Sequence, residues 1–230
     1  MAAPERRFML RAGLTGGLGS GKTAVAAIFR SLGAYVIEAD ALGRELMSPG
    51  HAVYDEIVQR FGPEVIRADG TLDRRLLADL AFRQNRLAEL NHIVHPPVIA
   101  AQQQWAEELF AREPNAVAIV ESALIFEADQ QGSAPGWRRR FDRIILVTAP
   151  EQQRIARYVD RMAQLPNAPS RAELEAEARR RIAAQIPDQE KLPLADFVIH
   201  NSGSLEATRL EVERIFAELA RASRTPVPGL

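Results

Sequence analysis

Short apolar runs alternate with helical patterns along most of this chain. Five runs are rich in β-branched and apolar residues and have the length of strands that are buried on both faces. These runs are Phe8 to Leu14, Ala34 to Asp40, Ala116 to Ser122, Arg143 to Thr148 and Asp196 to His200. Lys22 to Leu32 and Leu205 to Leu219 carry apolar residues at helical spacing. The alternation predicts an α/β fold with a mostly parallel five-stranded sheet, helices on both faces and a site at the carboxyl ends of the strands.

Two long segments interrupt this alternation. No strand pattern occurs between residues 41 and 112, which we interpret as a helical insertion between the second and third strands. Residues 150–192 form a second helical stretch, rich in arginine, and the sequence LPNAPS within it favours a hinged lid. The remaining ranges, 1–40, 113–149 and 193–230, form the predicted core.

Composition and charge limit the partners that the protein can have. The chain has 230 residues, 47% of them hydrophobic, no cysteine and a formal net charge of -1. Such a balance provides no basic field for nucleic acid or for an anionic membrane. No apolar run approaches the ~20 residues of a membrane helix. We therefore expect a cytoplasmic protein, a monomer by default, with no nucleic-acid or membrane partner.

A glycine-rich motif follows the first predicted strand. Residues 13–23 read GLTGGLGSGKT and satisfy GxxxxGK[ST], the P-loop pattern, between a strand and a helix. Lys22 is one of only two lysines among 29 basic residues, and its ammonium suits a cluster of phosphate oxygens. The hydroxyl of Thr23 is the expected Mg²⁺ ligand, whereas a plain glycine-rich turn would not require the whole pattern. The predicted nucleotide-binding residues of the loop are Gly16, Gly17, Leu18, Gly19, Ser20, Gly21, Lys22 and Thr23.

A carboxylate ends the second predicted strand, beside the glycine-rich loop. Asp40 can accept a proton from a substrate hydroxyl or orient that hydroxyl, although it can also cap the following helix. Glu38 lies on the same strand face, one pleat deeper, where it can help to organise Mg²⁺ or pair with an arginine.

Further motifs extend the pattern beyond the loop. They are VIEADALGRELMSPG, FGPEVIRADGTLDRRLLADLAF, LNHIVHPPV, ESALIFE and RRRIAAQIPDQEKLPLADFVIHNSG. Together with GLTGGLGSGKT they resemble the dephospho-CoA kinase family over nearly the whole chain. Departures from the family pattern are Glu38 in place of aspartate, Ala123 in place of proline and Ile125 in place of leucine.

The resemblance implies a P-loop kinase fold and transfer of phosphate from ATP, with Mg²⁺, to the ribose 3'-hydroxyl of dephospho-CoA. The products would be CoA and ADP. In this assignment Asp40, Lys22 and Arg157 are catalytic, and Arg161 joins the loop in binding the nucleotide. Arg157 and Arg161 lie one helical turn apart, and a solvated helix face is their alternative interpretation.

The resemblance also implies residues for the phosphoryl acceptor and for adenine. The helical insertion would bind the acceptor through Arg44 and His95. Glu127 would form an ion pair with an arginine near the acceptor. An exposed ion pair is the alternative for Arg44, and a helix cap or a core position is the alternative for His95, which we place in a turn before two prolines. Asn201 and Gly203 follow the last strand and are candidates for the adenine site.

Two other functions stay open at this point. A different small-metabolite P-loop kinase would keep the loop, Asp40 and the lid, but would not require the insertion with LNHIVHPPV. A nucleotide-dependent regulatory module is the second alternative. Since the chain has no NKxD guanine motif, a GTPase is disfavoured.

Overall fold

The computed structural model describes residues 9–224 and contains one five-stranded sheet. Its strands are β1 (Leu10–Thr15), β2 (Tyr35–Glu38), β3 (Val117–Glu121), β4 (Arg143–Thr148) and β5 (Phe197–His200). The spatial order is β2-β3-β1-β4-β5, and all neighbouring strands are parallel. The predicted α/β fold and number of strands are confirmed. Phe8, where we expected the first strand to begin, lies outside the described residues.

Eleven α-helices connect and cover the strands within the described residues. The first five are α1 (Lys22–Ser31), α2 (Ala39–Leu46), α3 (Ala52–Phe61), α4 (Arg74–Arg83) and α5 (Leu87–Arg112). The others are α6 (Ile125–Gln130), α7 (Trp137–Arg140), α8 (Glu151–Met162), α9 (Arg171–Ala183), α10 (Asp188–Lys191) and α11 (Leu205–Ala222). Short 3₁₀ turns occupy Pro63–Val65 and Leu192–Leu194. None of the helices within residues 9–224 is both long and apolar enough to cross a bilayer.

Helices cover both faces of the sheet, because alternate strand residues are apolar on each side. On one face, Ile119 of β3 and Ile145 of β4 pack in a buried cluster with residues of α1 and α11. On the other face, Val120 and Ile144 pack against α6 and α7. Ala118 meets the last turns of α5 on that second face. This arrangement confirms the predicted layers.

The segment between β2 and β3 consists of helices joined by turns, with one isolated antiparallel bridge between Ile66 and Leu72. It has a hydrophobic core of its own, built on Ile57, Val65 and Leu77 among others. The second half of α5 instead packs on the sheet, through Ala106, Leu109 and Phe110. The first half of α5 therefore belongs to the core of the insertion, and its second half belongs to the layer that covers the sheet.

The expected strand from Ala34 to Asp40 is shorter in the structure. It ends at Glu38, and Asp40 lies in the first turn of α2. A helix begins there because residues 43–47 can pack against α5, so that tertiary contacts override the strand pattern.

The lid segment (residues 150–192) contains α8, α9 and α10. Helices α8 and α9 pack against each other through a buried cluster that includes Ile155, Val159 and Leu174. Ser170 caps α9, since its hydroxyl accepts from the backbone of Glu173 and the Glu173 carboxylate accepts from Ser170 in return. The result is a helical hairpin in which the start of α8 and the end of α9 lie next to the loop that follows β1.

Candidate active site

The glycine-rich loop (residues 16–21) connects the central strand β1 to α1. Gly21 precedes α1 with a left-handed backbone, φ 94°, and Gly19 has φ 72°. Side chains rarely adopt this region, and a Cβ on Gly21 would also collide with the amide nitrogen of Asn201. The glycines at these positions therefore satisfy both a backbone conformation and a close approach of neighbouring groups.

Cationic and amide side chains hold the carbonyl groups of this loop. Each carbonyl from residue 16 to residue 20 accepts a hydrogen bond from a side chain, which directs these oxygens toward the neighbouring elements. The donors are Lys22 to Gly16 and Gly17 (2.8 and 3.3 Å), Arg154 to Leu18 (2.9 Å), Arg157 to Gly19 and Ser20 (3.4 and 3.3 Å) and Asn201 to Ser20 (2.8 Å).

Several N–H groups of the same loop are left without a partner. Within residues 9–224, no hydrogen bond is made by the N–H groups of Gly17, Gly19, Gly21, Lys22 or Thr23. Lys22 and Thr23 also form the first turn of α1, where the helix dipole is positive. Free N–H groups at a helix N-terminus form a nest for an anion such as phosphate. The geometry thus agrees with the nucleotide-binding role that the motif predicts.

Lys22 is the ammonium nearest to this nest. Its Nζ donates to the carbonyls of Gly16 and Gly17. Burial lowers the pKa of Lys22 from 10.5 to about 8, while the charges of Glu121 and Asp40 oppose this change and those of Lys191 and Arg154 add to it. A bound polyphosphate would favour the protonated form, because its negative charge would lie close to the ammonium.

Glu121 faces the start of α1 from the neighbouring strand β3. Its Oε1 accepts from the Thr23 hydroxyl at 3.2 Å, and its Oε2 is buried without a hydrogen-bond partner among the described residues. Burial raises the pKa of Glu121, and Lys22 and the Thr23 hydroxyl oppose this change. Within residues 9–224 no group of three His, Cys, Asp or Glu side chains is arranged to hold a metal. Any cation at Thr23 and Glu121 would need ligands from a bound molecule.

Asp40 lies beside the loop and on the wall of a cavity. Its side chain is exposed, and its charge acts on Lys22, which places the carboxylate near the phosphate nest rather than in packed hydrocarbon. Glu38 forms an ion pair with Arg30 at 2.7 Å. Of the two interpretations for Glu38, the arginine pair is the one observed.

The cavity joins Asp40 to the helical insertion and has a volume of about 410 Å³, which is within the range of small-molecule sites. Three arginines line it, Arg44, Arg74 and Arg140. The Nε of Arg140 is buried and has no hydrogen-bond partner in the described part of the chain, and burial lowers the pKa of this guanidinium. None of the ion pairs among residues 9–224 includes Arg44 or Arg140. The cavity therefore suits an anionic ligand.

His95 lines the same cavity but does not lie in a turn. Helix α5 continues through Pro96 and Pro97, so our expectation of a turn before the prolines is wrong. Prolines usually break a helix because they lack an N–H, but packing along both halves of α5 outweighs this local penalty. The Nδ1 of His95 lies 2.8 Å from the Ser133 hydroxyl. Burial lowers the pKa of His95, and Arg140 adds to this effect, so the imidazole is held neutral near pH 7.

Glu127 has a different partner from the one we expected. Its Oε1 lies 2.6 Å from the Nζ of Lys191 and also accepts from the backbone of Ile186 at 3.3 Å. Both side chains are buried, and Glu127 is absent from the lining of the cavity. The expected pair with an arginine near the acceptor is thus corrected to a buried ion pair with the second rare lysine.

The residues predicted around the nucleotide differ in their contacts with the loop. Arg157 donates to Asn201 O at 2.8 Å in addition to its loop contacts, and the Oδ1 of Asn201 accepts from Thr208 at 3.0 Å. Gly203 lies in the exposed turn before α11. Arg161 is exposed, and its Cζ lies 5.9 Å from the centroid of the Tyr158 ring. Arg157 and Asn201 therefore support the loop directly, whereas the roles of Arg161 and Gly203 stay predictions.

Comparison with known proteins agrees with this geometry. The family model described as dephospho-CoA kinase matches residues 10–207. The chain belongs to the dephospho-CoA kinase family. It is 39% identical to a protein named dephospho-CoA kinase from Moorella thermoacetica, over 94% of this chain and 96% of that one.

Two solved structures resemble the chain over most of its length. A Thermus thermophilus protein, TT1252, is 34% identical with a TM-score of 0.68, over 91% of this chain and 97% of that one. A dephospho-CoA kinase from Campylobacter jejuni shares the fold with a TM-score of 0.62 at 24% identity, over 92% and 97% of the two chains. As a member of this kinase family, the protein is an ATP-dependent phosphotransferase.

The sequence did not predict several residues that lie at the site of this dephospho-CoA kinase family member. Glu121 ends an apolar run, but its importance depends on β3 lying next to β1, which the register shows by pairing Leu14 with Glu121. Arg154 is one of three arginines on α8, and only its burial distinguishes it. Arg140 belongs to a run of three arginines, and only its position on the cavity wall distinguishes it. Of these residues, only Glu121 has a recognisable sequence signal, because it is an acidic residue at the end of a predicted strand.

We predict that ATP binding weakens above about pH 8 through Lys22. The protonated amine binds phosphate, so affinity is constant below the pKa of the free protein and falls by up to about tenfold per pH unit above it. Isothermal titration calorimetry between pH 7 and pH 10 measures this. Lys22→Arg, which stays charged, should give an affinity that does not change with pH. An equal decline in both proteins would contradict the assignment.

We predict that the Glu127 and Lys191 pair is strongly coupled. Because either change alone leaves a buried charge, Lys191→Met or Glu127→Leu should lower the free energy of unfolding by about 3–5 kcal/mol. The double variant should lose less than the sum, as urea unfolding can show. The exposed pair Arg209 and Glu213 is a matched control, for which Arg209→Met should change stability by under about 0.5 kcal/mol. Additive losses would show that the two groups do not interact.

Proposed function

We propose that this protein transfers the γ-phosphoryl group of ATP to the ribose 3'-hydroxyl of dephospho-CoA, giving CoA and ADP, the last step of coenzyme A synthesis. Membership of the dephospho-CoA kinase family supports this, as does the name of the Moorella relative. The observation that carries the proposal is the cavity that runs from Asp40 into the insertion and is lined by three arginines. A phosphorylated, anionic acceptor fits this lining better than a neutral sugar does.

Asp40 is the proposed catalytic base. In the proposed step the 3'-oxygen attacks the γ-phosphorus, the bond between that phosphorus and the β,γ-bridging oxygen breaks, and ADP leaves. The proton of the hydroxyl passes to the Asp40 carboxylate. Because phosphoryl transfer depends on positioning and on neutralising spread charge, the nest N–H groups and Lys22 provide most of the stabilisation.

Mg²⁺ fits the residues present beside the nest. The Thr23 hydroxyl and the orphaned Oε2 of Glu121 are oxygen donors of the kind that this ion prefers, and ATP oxygens would complete its shell. When bound, the ion would neutralise charge on the transferred phosphate. In the proposal, Glu121 therefore does more than accept the hydrogen bond of Thr23, because its second oxygen is available as a ligand for Mg²⁺.

Arg44 and His95 are the proposed acceptor-binding residues, together with Arg140. The three side chains line one cavity, and the two guanidiniums can pair with phosphate oxygens. Arg157 acts in the proposal by holding the loop, and Asn201 and Gly203 border the adenine site. A cytoplasmic location and a monomeric state complete the proposal.

The test of the acceptor is ADP release with a panel of alcohols. We predict turnover with dephospho-CoA at least about tenfold above the rate with shikimate, gluconate or nucleoside monophosphates, because only the first combines a ribose 3'-hydroxyl with a long anionic arm for the insertion. A coupled pyruvate kinase and lactate dehydrogenase assay measures the rates. Turnover with dephospho-CoA that does not exceed the acceptor-free background would refute the proposal.

The test of Asp40 separates chemistry from binding. Asp40→Asn should lower kcat by about 10²–10⁴-fold, as loss of a general base does, and change the Kd of ATP by less than about threefold. Glu45→Gln is a matched control, because Glu45 is exposed on the same helix and absent from the cavity lining. Equal losses in kcat and in ATP affinity would mean that Asp40 serves the nucleotide site instead.

A further inference from the structure

Arg154 is a buried arginine that the proposed reaction does not use. It lies in the first turns of α8 and is only 7% exposed. Its Nε donates to Leu18 O at 2.9 Å, and its terminal nitrogens reach Asp188 (3.4 Å) and Gln185 (3.5 Å). A guanidinium is held in this way only where each N–H has an acceptor, since burying the charge unpaired is unfavourable. The contacts join the loop apex to three parts of the lid segment.

Leu18, at the apex of the glycine-rich loop, is held by all of its groups. Its C=O accepts from Arg154, and its N–H donates to Gln185 Oε1 at 2.8 Å. Its side chain packs with the hydrophobic cluster between α8 and α9. Since Arg154 belongs to α8 and Gln185 is the second residue after α9, both legs of the lid hairpin are attached to this single residue.

The glycines on either side of Leu18 make room for this attachment. A Cβ on Gly17 would lie 2.6 Å from the Arg154 Cζ, and one on Gly19 would lie 2.8 Å from the Arg154 Cα. Neither separation is compatible with a real side chain. Gly19 is thus required by the backbone of α8, whereas a side chain at position 17 would displace the Arg154 guanidinium from its contacts. The glycine-rich loop and α8 of the hairpin are therefore in close contact on both sides of Leu18.

We infer that Arg154 and Gln185 are positioning residues that lock the apex of the phosphate loop to the lid hairpin. Arg154 binds the Leu18 C=O, so that the N–H of Gly19 in the same peptide group points to the opposite side, toward the nucleotide phosphates. Gln185 binds the Leu18 N–H, so that the C=O of Gly17 in that peptide group is turned toward Lys22. The same contacts transmit phosphate binding to α8 and α9. The inference rests on the proposed function only in that the loop binds ATP, and it is independent of the acceptor.

This attachment also limits which part of the lid can move. The bases of both legs are fixed at Leu18, whereas residues 163–170, between α8 and α9, are far along the chain from these contacts. Closure of the lid over a nucleotide is therefore a movement of the hairpin tip about a base that the loop holds. Loosening the base should reduce both the affinity for nucleotide and the response of the hairpin to it.

The experiment uses the full chain and three variants of the contacts around Leu18. Arg154→Met keeps the aliphatic stem and removes the donors, and Gln185→Leu removes the acceptor for Leu18 N–H. Arg154→Lys retains the charge and one donor. Arg171→Met is the control, because Arg171 is exposed on α9 and pairs with Asp160 and Glu175 rather than with the loop.

The readouts are the Kd of ADP without acceptor, by calorimetry, and hydrogen–deuterium exchange of α9 with and without ADP. Arg154→Met should raise the Kd about 10- to 100-fold, as loss of a charged hydrogen bond does, and abolish the protection of α9 by ADP. Gln185→Leu should change both readouts in the same direction, Arg154→Lys should restore part of each, and Arg171→Met should behave as wild type. The KM for dephospho-CoA should change less than about twofold.

Other outcomes would overturn the inference. A lower melting temperature with unchanged ADP affinity and unchanged protection of α9 would assign Arg154 a purely structural role. If Arg154→Met does not fold, Arg154→Lys and Gln185→Leu decide the question by the same readouts. Wild-type protein that fails to bind ADP would refute the proposed function as well, whereas binding of ADP without turnover of dephospho-CoA would refute only the acceptor assignment.

Discussion

The direction of the peptide groups between β1 and α1 is the constraint on which the site depends. Side chains bind the carbonyl oxygens of residues 16–20, and the N–H groups of Gly17, Gly19 and Gly21 are left for a ligand. A peptide group that turned around would present an oxygen to the phosphate and repel it. The glycines make this course possible, and the neighbouring helices make it stable.

The side chains that surround the loop include several buried cations. Burial lowers the pKa of Lys22, and the charges of Lys191 and Arg154 add to this effect. Each is balanced locally, by Glu121, Glu127 and Asp188 respectively, so that the folded protein tolerates the charges before a nucleotide arrives. Glu127 and Lys191, which do not line the cavity, thereby belong to the same electrostatic arrangement.

The acceptor side is organised by different elements from the nucleotide side. Asp40 is carried by α2, which follows β2 directly, while the insertion has a separate core around Ile57. Helix α5 connects the two because one half packs in the insertion and the other half on the sheet. The cavity lies along this shared helix. The position of the acceptor relative to the phosphate nest is thus set by the packing of α2 and α5.

The sequence by itself determined the five strands, the phosphate loop, the helical insertion and the family, because these depend on local periodicity and on contiguous motifs. Only the tertiary structure decided the strand order that brings Glu121 to Thr23, the pairing of Glu127 with Lys191 and the burial of Arg154 against Leu18. Each of these contacts joins residues far apart in the chain, and no local pattern records which long-range partner a charged side chain meets. The continuous α5 through Pro96 and Pro97 has the same origin, since packing along the helix outweighed a local preference that pointed to a turn.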